Sequence, residues 1–311
     1  MHISDILSSR KTSLSFEFFP PRAAAAWEEL YQTIRDLEQL APAFVSVTYG
    51  AGGGTRELTH ELVVRIQQTT SIPPTPHLTC VGHTMPEVEA ILERYAAAGV
   101  SNILALRGDA PRDQPDYDWS GGDFRHAADL VAFIRRFNES GRHPDPRGFG
   151  IGVAGFPEGH PDTPNRLAEL DFLKQKVDAG ADYICSQLFF DNHDFFDFRD
   201  RCVLAGIRVP VVAGIMPVTS LQGMRRMAEL AAGARFPAAL MRALERANGH
   251  PEAVERVGIH YAAAQCAGLL DSAVTGIHFY TLNKSHATRE IYASLGLSPG
   301  GGAGVPAASG V

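Results

Sequence analysis

Short apolar runs alternate with longer stretches of helical periodicity along almost the whole chain. The first run, Ser15-Phe16-Glu17-Phe18-Phe19, is crowded with aromatic side chains and stopped by Pro20-Pro21, which reads as a buried strand. Between residues 23 and 40, Trp27, Leu30, Tyr31, Ile34, Leu37 and Leu40 fall on one stripe, the spacing of an amphipathic helix. The alternation then repeats. Strands are predicted at 44–50, 76–80, 102–109, 149–155, 183–190, 209–217 and 276–282. Helices are predicted at 55–68, 85–98, 124–137, 165–179 and 194–205, then at 220–233, 236–247, 251–272 and 285–294. Thr55 stands where an N-cap belongs and Gly99 where a C-terminal cap belongs.

Each of the eight strands is followed by at least one helix, and many strands are continuous apolar runs, as expected when both faces are covered. Strict alternation at this length predicts an α/β protein, a (β/α)8 TIM barrel spanning residues 1–297 as a single domain with extra helices before the last strand. An open, doubly wound sheet is the runner-up. The tail, 298–311, is Gly, Ala, Pro and Ser with little to bury, and is predicted to be disordered.

Composition narrows the function classes. A net charge of −7 without a basic run argues against nucleic acid as the main partner. No run of about eighteen apolar residues spans a membrane, and the N-terminus lacks a signal pattern, which points to the cytoplasm. Cys80, Cys185, Cys202 and Cys266 are scattered without CxxC spacing, so reduced core thiols are expected and no metal site.

In such barrels the chemistry sits where strands end. Glu17, Thr48-Tyr49, His77, Arg107-Gly108-Asp109, His160, Gln187 and Asn283-Lys284 occupy those ends. A glutamate flanked by phenylalanines is expected to resist ionisation, with a pKa raised towards the range useful for proton transfer. Taken singly, each has a bland reading: His77 satisfying a backbone carbonyl, Arg107 and Asp109 forming a surface ion pair. Gln187 is harder to dismiss, because an amide in an apolar strand needs partners. Gly150-Ile151-Gly152-Val153-Ala154-Gly155 matches GxGxxG, but within a strand, where it cannot cradle phosphate; its glycines are expected to admit a flat ligand instead.

Several of these segments together resemble the methylenetetrahydrofolate reductase family. They are Ser15 to Arg22, Val45 to Ala51, Pro76 to Cys80, Ala105 to Asp109, Lys176 to Ala181, Gln187 to Asp191 and His278 to Asn283. They occur in the family's order across residues 12–297. The resemblance implies a flavoprotein barrel with non-covalent FAD, reduced by NADH or NADPH, that passes hydride to 5,10-methylenetetrahydrofolate and yields 5-methyltetrahydrofolate. It implies that Glu17 is the acid that protonates the folate nitrogen and that Asp109 lies between flavin and pterin. Gln187 would meet folate or nicotinamide in alternation, and Lys284 would meet a folate carboxylate. By the same likeness Thr48, Tyr49, Ala51, His77, Arg107, Gly108, Asp109, Ala127, Phe156, His160, Glu169 and Lys176 hold FAD. Relatives suggest a homo-oligomer.

The chain departs from the pattern in places. Phe156 replaces a tyrosine, Lys284 an arginine and Glu169 an aspartate; Gly223 and Met227 replace a polar and an aromatic residue beside the pterin. Two other readings compete: a TIM-barrel flavin oxidoreductase of the proline dehydrogenase kind, and a flavin- or folate-binding protein without turnover. Neither calls for an acid on the first strand.

Overall fold

Eight parallel strands close into a barrel in chain order in the computed structural model, which describes residues 1–50, 54–110, 117–118, 121–163, 165–231 and 234–297. They are β1 (Ser13–Phe18), β2 (Phe44–Val47), β3 (Pro74–Thr79), β4 (Asn102–Leu106), β5 (Gly150–Gly155), β6 (Tyr183–Ser186), β7 (Val211–Ile215) and β8 (Gly276–Tyr280). Closure comes from β8 pairing back on β1, with Ser15 opposite His278 and Glu17 opposite Tyr280. The open-sheet alternative is thereby excluded. The expected tail at 298–311 and Ala51 lie outside the described residues.

The helices are α1 (Ile3–Ser8), α2 (Ala26–Glu38), α3 (Arg56–Thr69), α4 (Met85–Ala97), α5 (Ala127–Glu139), α6 (Arg166–Asp178), α7 (Asn192–Leu204), α8 (Leu221–Leu230), α9 (Ala238–Arg246), α10 (Pro251–Asp271) and α11 (His286–Ser294). Local chemistry sets their ends. Thr84 and Glu87 form a capping box at α4, and Asn165 Oδ1 accepts from Leu167 N–H at 2.9 Å to start α6. Gly99, at φ +78°, closes α4 while Val100 N–H donates to Tyr95 O. Thr55 does precede α3, but its hydroxyl does not cap the helix; it accepts from Gly50 N–H at 2.7 Å and tightens the β2 turn instead. The periodicity does not predict α1, whose six residues are too few to show a stripe.

Strand alternation divides the barrel into two environments. Phe16, Phe18, Val45, Val47, Ile103, Ile151, Val153, Ile277 and Phe279 join the large core between sheet and helices. The opposite face fills the barrel. Near its N-terminal end Phe44, Leu104, Tyr183 and Val212 pack with Ile3, Ile6 and Leu7 of α1, which plugs the bottom. Ile3 N–H donates to Asn102 Oδ1 at 2.6 Å, fixing that plug to β4.

The β5 glycines belong to this packing. A Cβ at Gly152 would lie 2.4 Å from the Tyr183 ring, and one at Gly150 would lie 2.6 Å from Ile3. They make room for the barrel's own side chains, which corrects the expectation that they admit a ligand.

Candidate active site

The C-terminal half of the barrel interior is polar. Ser15, Glu17, Ser46, His77 and His278 share it, and all but Glu17 are buried. Glu17 is therefore not in a phenylalanine pocket as its sequence neighbours imply. Phe16 and Phe18 point the other way, because successive strand residues alternate faces. What surrounds the carboxylate is hydrogen-bonding: Ser46 Oγ donates to Glu17 Oε2 at 3.4 Å, His77 Nε2 lies 3.4 Å from it, and His278 Nε2 lies 4.0 Å away.

These contacts form a chain. His278 Nδ1 is 2.8 Å from Ser15 Oγ, and its Nε2 is 3.1 Å from Ser46 Oγ. If Ser46 donates to Glu17, then Nε2 must carry a proton to donate to Ser46, and Nδ1 accepts from Ser15. His77 is different. Its Nε2 is buried and has no hydrogen-bond partner among the described residues, neither Glu17 nor a backbone carbonyl. Burial pushes the His77 pKa down, against the pull of Glu17. A neutral His77 brings no positive charge to the Glu17 carboxyl. The carboxyl, with its side chain 19% exposed, keeps a path to solvent protons.

Around the mouth, the structure places the remaining sequence-predicted residues in loops just past the strands. Thr48 and Tyr49 follow β2. Tyr49 Oη is 3.1 Å from His83 Nε2 and accepts from Arg56 Nε at 3.2 Å. Burial raises the tyrosine pKa, an effect Arg56 partly offsets, and burial also lowers that of His83. Arg107, Gly108 and Asp109 follow β4, the two charged residues exposed. Gly108 has φ +81°, and a Cβ there would lie 2.8 Å from Thr79, so the turn requires glycine. Ala127 is the buried first residue of α5.

Past β5, Phe156 meets His160 edge-on, ring centroids 4.8 Å apart. On α6, Glu169 is buried, and Lys176 Nζ donates to Ala154 O at 2.7 Å. Desolvation lowers the Lys176 pKa to about 8, with Glu169 acting in opposition. Among the described residues Lys176 makes no ion pair within 4.0 Å.

Gln187 lies one residue beyond β6, half-buried rather than inside the strand. Its N–H donates to Gly155 O and its Oε1 accepts from Leu188 N–H. It lines a small cavity together with Phe156. Lys284 is exposed after β8, where Asn283 clasps Phe19 through both backbone groups, at 2.9 and 2.7 Å. In α8, Met227 is buried among apolar residues and Gly223 N–H donates to the Ser220 cap. All four cysteines are buried and unpaired, with thiol pKa values raised by desolvation.

Sequence reasoning missed Ser46, His278, His83 and Arg56. The signal was present for the first two: both are polar residues at inward positions of otherwise apolar strands. The set as a whole suits an anionic, planar cofactor. Lys176, half-buried with no ion pair among the described residues, an obligatory glycine turn at Gly108 and the polar atoms His77 Nε2 and Thr79 Oγ1, unpartnered among those residues, all fit such a group.

Comparison with known proteins adds to this geometry. The family model "Methylenetetrahydrofolate reductase" matches residues 2–296. The 5,10-methylenetetrahydrofolate reductase of Escherichia coli is 37% identical over 288 residues, covering 93% of this chain and 92% of that protein. Methylenetetrahydrofolate reductase (NADH) 1 of Arabidopsis thaliana is 39% identical over 304 residues, covering 95% of this chain. The chain spans about half the length of that plant relative, 50%. Among solved structures, an uncharacterised Clostridium thermocellum protein that binds two copies of 5-methyl-5,6,7,8-tetrahydrofolic acid superposes with a TM-score of 0.62. It is 13% identical and the match covers 94% of this chain and 96% of that one, a likeness of fold.

Proposed function

The chain belongs to the methylenetetrahydrofolate reductase family, and from that premise we propose that it reduces 5,10-methylenetetrahydrofolate to 5-methyltetrahydrofolate. FAD would be the resident cofactor and NADH or NADPH the reductant, in two alternating half-reactions. The carrying observation is Glu17: a carboxyl in the polar half of the barrel, linked through Ser46 to His278 and beside a neutral His77.

That arrangement suits a proton donor. A folate nitrogen must be protonated before the imidazolidine ring opens to the iminium that accepts hydride, and Glu17 is placed to supply that proton. Ser46 and His278 orient the carboxyl, and solvent at the mouth restores its proton afterwards. Bound FAD would accept hydride from the nicotinamide and release it to the one-carbon unit. Thr48, Tyr49, Ala51, His77, Arg107, Gly108, Ala127, Phe156, His160, Glu169 and Lys176 would hold it. Asp109, Gln187 and Lys284 would hold the folate, Asp109 also facing the flavin.

The purified protein should be yellow and lose its flavin on acid precipitation. It should pass electrons to menadione from NAD(P)H and, separately, from methyltetrahydrofolate. A yellow protein that takes electrons from neither donor would favour the other flavoenzyme reading over this one. A colourless protein that takes up no FAD would end both.

A further inference from the structure

Arg235, in the connection between α8 and α9, reaches carboxylates on two other βα units. Its backbone N–H and its Nε both donate to Glu158 Oε1 at 2.9 Å, and its Nη2 pairs with Asp194. Glu158 lies midway between Phe156 and His160. Asp194 lies in the first turn of α7, a few residues past Gln187. The Arg235 side chain is 60% exposed, yet that of Glu158 is only 5% exposed.

Glu158 is an expensive residue to keep there. Its Oε2 is buried and takes no hydrogen bond from the described residues. A desolvated carboxylate with one unsatisfied oxygen costs stability unless a cation holds it. Burial indeed pushes its pKa up, against Arg235. An ion pair with a buried carboxylate is by itself weak evidence for stability, so the geometry calls for another use. Glu158 lines the same cavity as Phe156, Gln187, Leu188, Ala231 and Ala234.

We propose that Arg235 is a positioning residue. Through Glu158 it holds the loop carrying Phe156 and His160, and through Asp194 it holds the segment following Gln187. The cofactor-side and substrate-side walls of the site thereby keep one spacing. This inference rests on the reductase reading above, in which those walls face FAD and folate.

The test compares full-length holoprotein with Arg235→Met, Arg235→Lys and the double variant Arg235→Met/Glu158→Gln. Displaced walls weaken binding more than chemistry. Arg235→Met should therefore raise both the FAD dissociation constant and the KM for methylenetetrahydrofolate at least about tenfold, with kcat at saturation within about threefold. The double variant, freed of a buried unpaired charge, should regain stability but not binding, because the tie between the two walls is still missing. Lysine offers one ammonium where two carboxylates are spanned, so Arg235→Lys should be intermediate. It decides the matter if Arg235→Met does not accumulate.

A merely structural pair would lower the folded fraction and kcat together while KM and FAD affinity stayed unchanged. That result overturns the proposal, as does a double variant whose FAD affinity and KM return to wild type. Wild-type protein without nicotinamide-dependent flavin reduction would instead sink the reductase reading itself.

Discussion

The two ends of the barrel are built from the same strands and the same alternation, yet they are finished in opposite ways. At the bottom, inward positions carry Phe44, Leu104, Tyr183 and Val212, and α1 inserts Ile3, Ile6 and Leu7 among them. Gly150 and Gly152 give up their own side chains so that these fit. At the top, inward positions carry Glu17, Ser46, His77 and His278, and polar atoms such as His77 Nε2 and Thr79 Oγ1 have no partner among the described residues. Interior apolar packing is what stabilises a fold, and unpartnered buried polar groups detract from it. The contrast separates the half of the barrel that holds the structure from the half arranged for a ligand.

Glu17→Gln should break the top and spare the bottom. Glutamine keeps the shape and a hydrogen-bond acceptor for Ser46 but has no proton to give. Reoxidation of reduced flavin by methylenetetrahydrofolate should fall at least about a hundredfold, the range that general acid catalysis supplies. Flavin reduction by NAD(P)H, a hydride transfer that needs no acid at the folate nitrogen, should stay within about threefold of wild type, under about 1 kcal/mol. Stopped-flow absorbance separates the two steps. Equal losses in both would make Glu17 a structural residue.

The converse experiment is Ile3→Ala. It removes a fully buried side chain from the plug and should cost about 2–3 kcal/mol of unfolding free energy through lost transfer and a residual cavity. Activity per folded molecule should not change. Denaturant melts with parallel half-reaction rates measure both. A rate loss beyond the folded fraction would show that the two ends are coupled and that the division drawn above is too sharp.

Asp109→Asn is a smaller change at the mouth. Removing one exposed charge at constant shape should weaken folate binding about tenfold, roughly 1.4 kcal/mol, and slow flavin reoxidation. An unaltered folate half-reaction would take Asp109 out of the site.

The division of the barrel was only half legible in the sequence. Element type and order were readable because the runs are long and the periods distinct; Phe16/Phe18 against Ser15/Glu17 is a period of two in plain view. That same alternation was misapplied to Glu17, whose sequence neighbours became its supposed environment although they lie on the other face. Its true neighbours, Ser46 and His278, lie 29 and 261 residues away and meet it only through β1–β2 and β1–β8 pairing. Barrel closure depends on the same long-range pairing, which no local pattern encodes. The α1 plug was illegible for a related reason: six residues carry little signal, and their apolar face matters only once a barrel bottom exists to receive it.

The smallest effect compares the two ends by titration. His2 at the bottom and His77 and His83 at the top are buried, and desolvation lowers the pKa of each below the ordinary value of 6.5. Asp182 opposes the shift at His2, Glu17 opposes it at His77, and hydrogen bonds to backbone carbonyls oppose it at His83. The sign follows from linkage. Between the depressed folded value and 6.5, the unfolded chain binds a proton that the folded chain refuses. Stability is therefore constant above 6.5 and falls as the pH drops below it, until the folded-state value is passed. Each histidine contributes at most about 0.7 kcal/mol between pH 7 and 6. His2→Gln and His77→Gln should each flatten the decline of unfolding free energy over that interval by up to that amount, whatever they do to stability at pH 8. Ligand should separate the two ends. Saturation with a cofactor that touches His77 alters its environment and changes the top share of the slope, while the share removed by His2→Gln stays the same with or without it. Denaturant melts of holoprotein and apoprotein at the two pH values make the measurement. A His2 share that moved with the cofactor would show that the sealed end senses the occupied one.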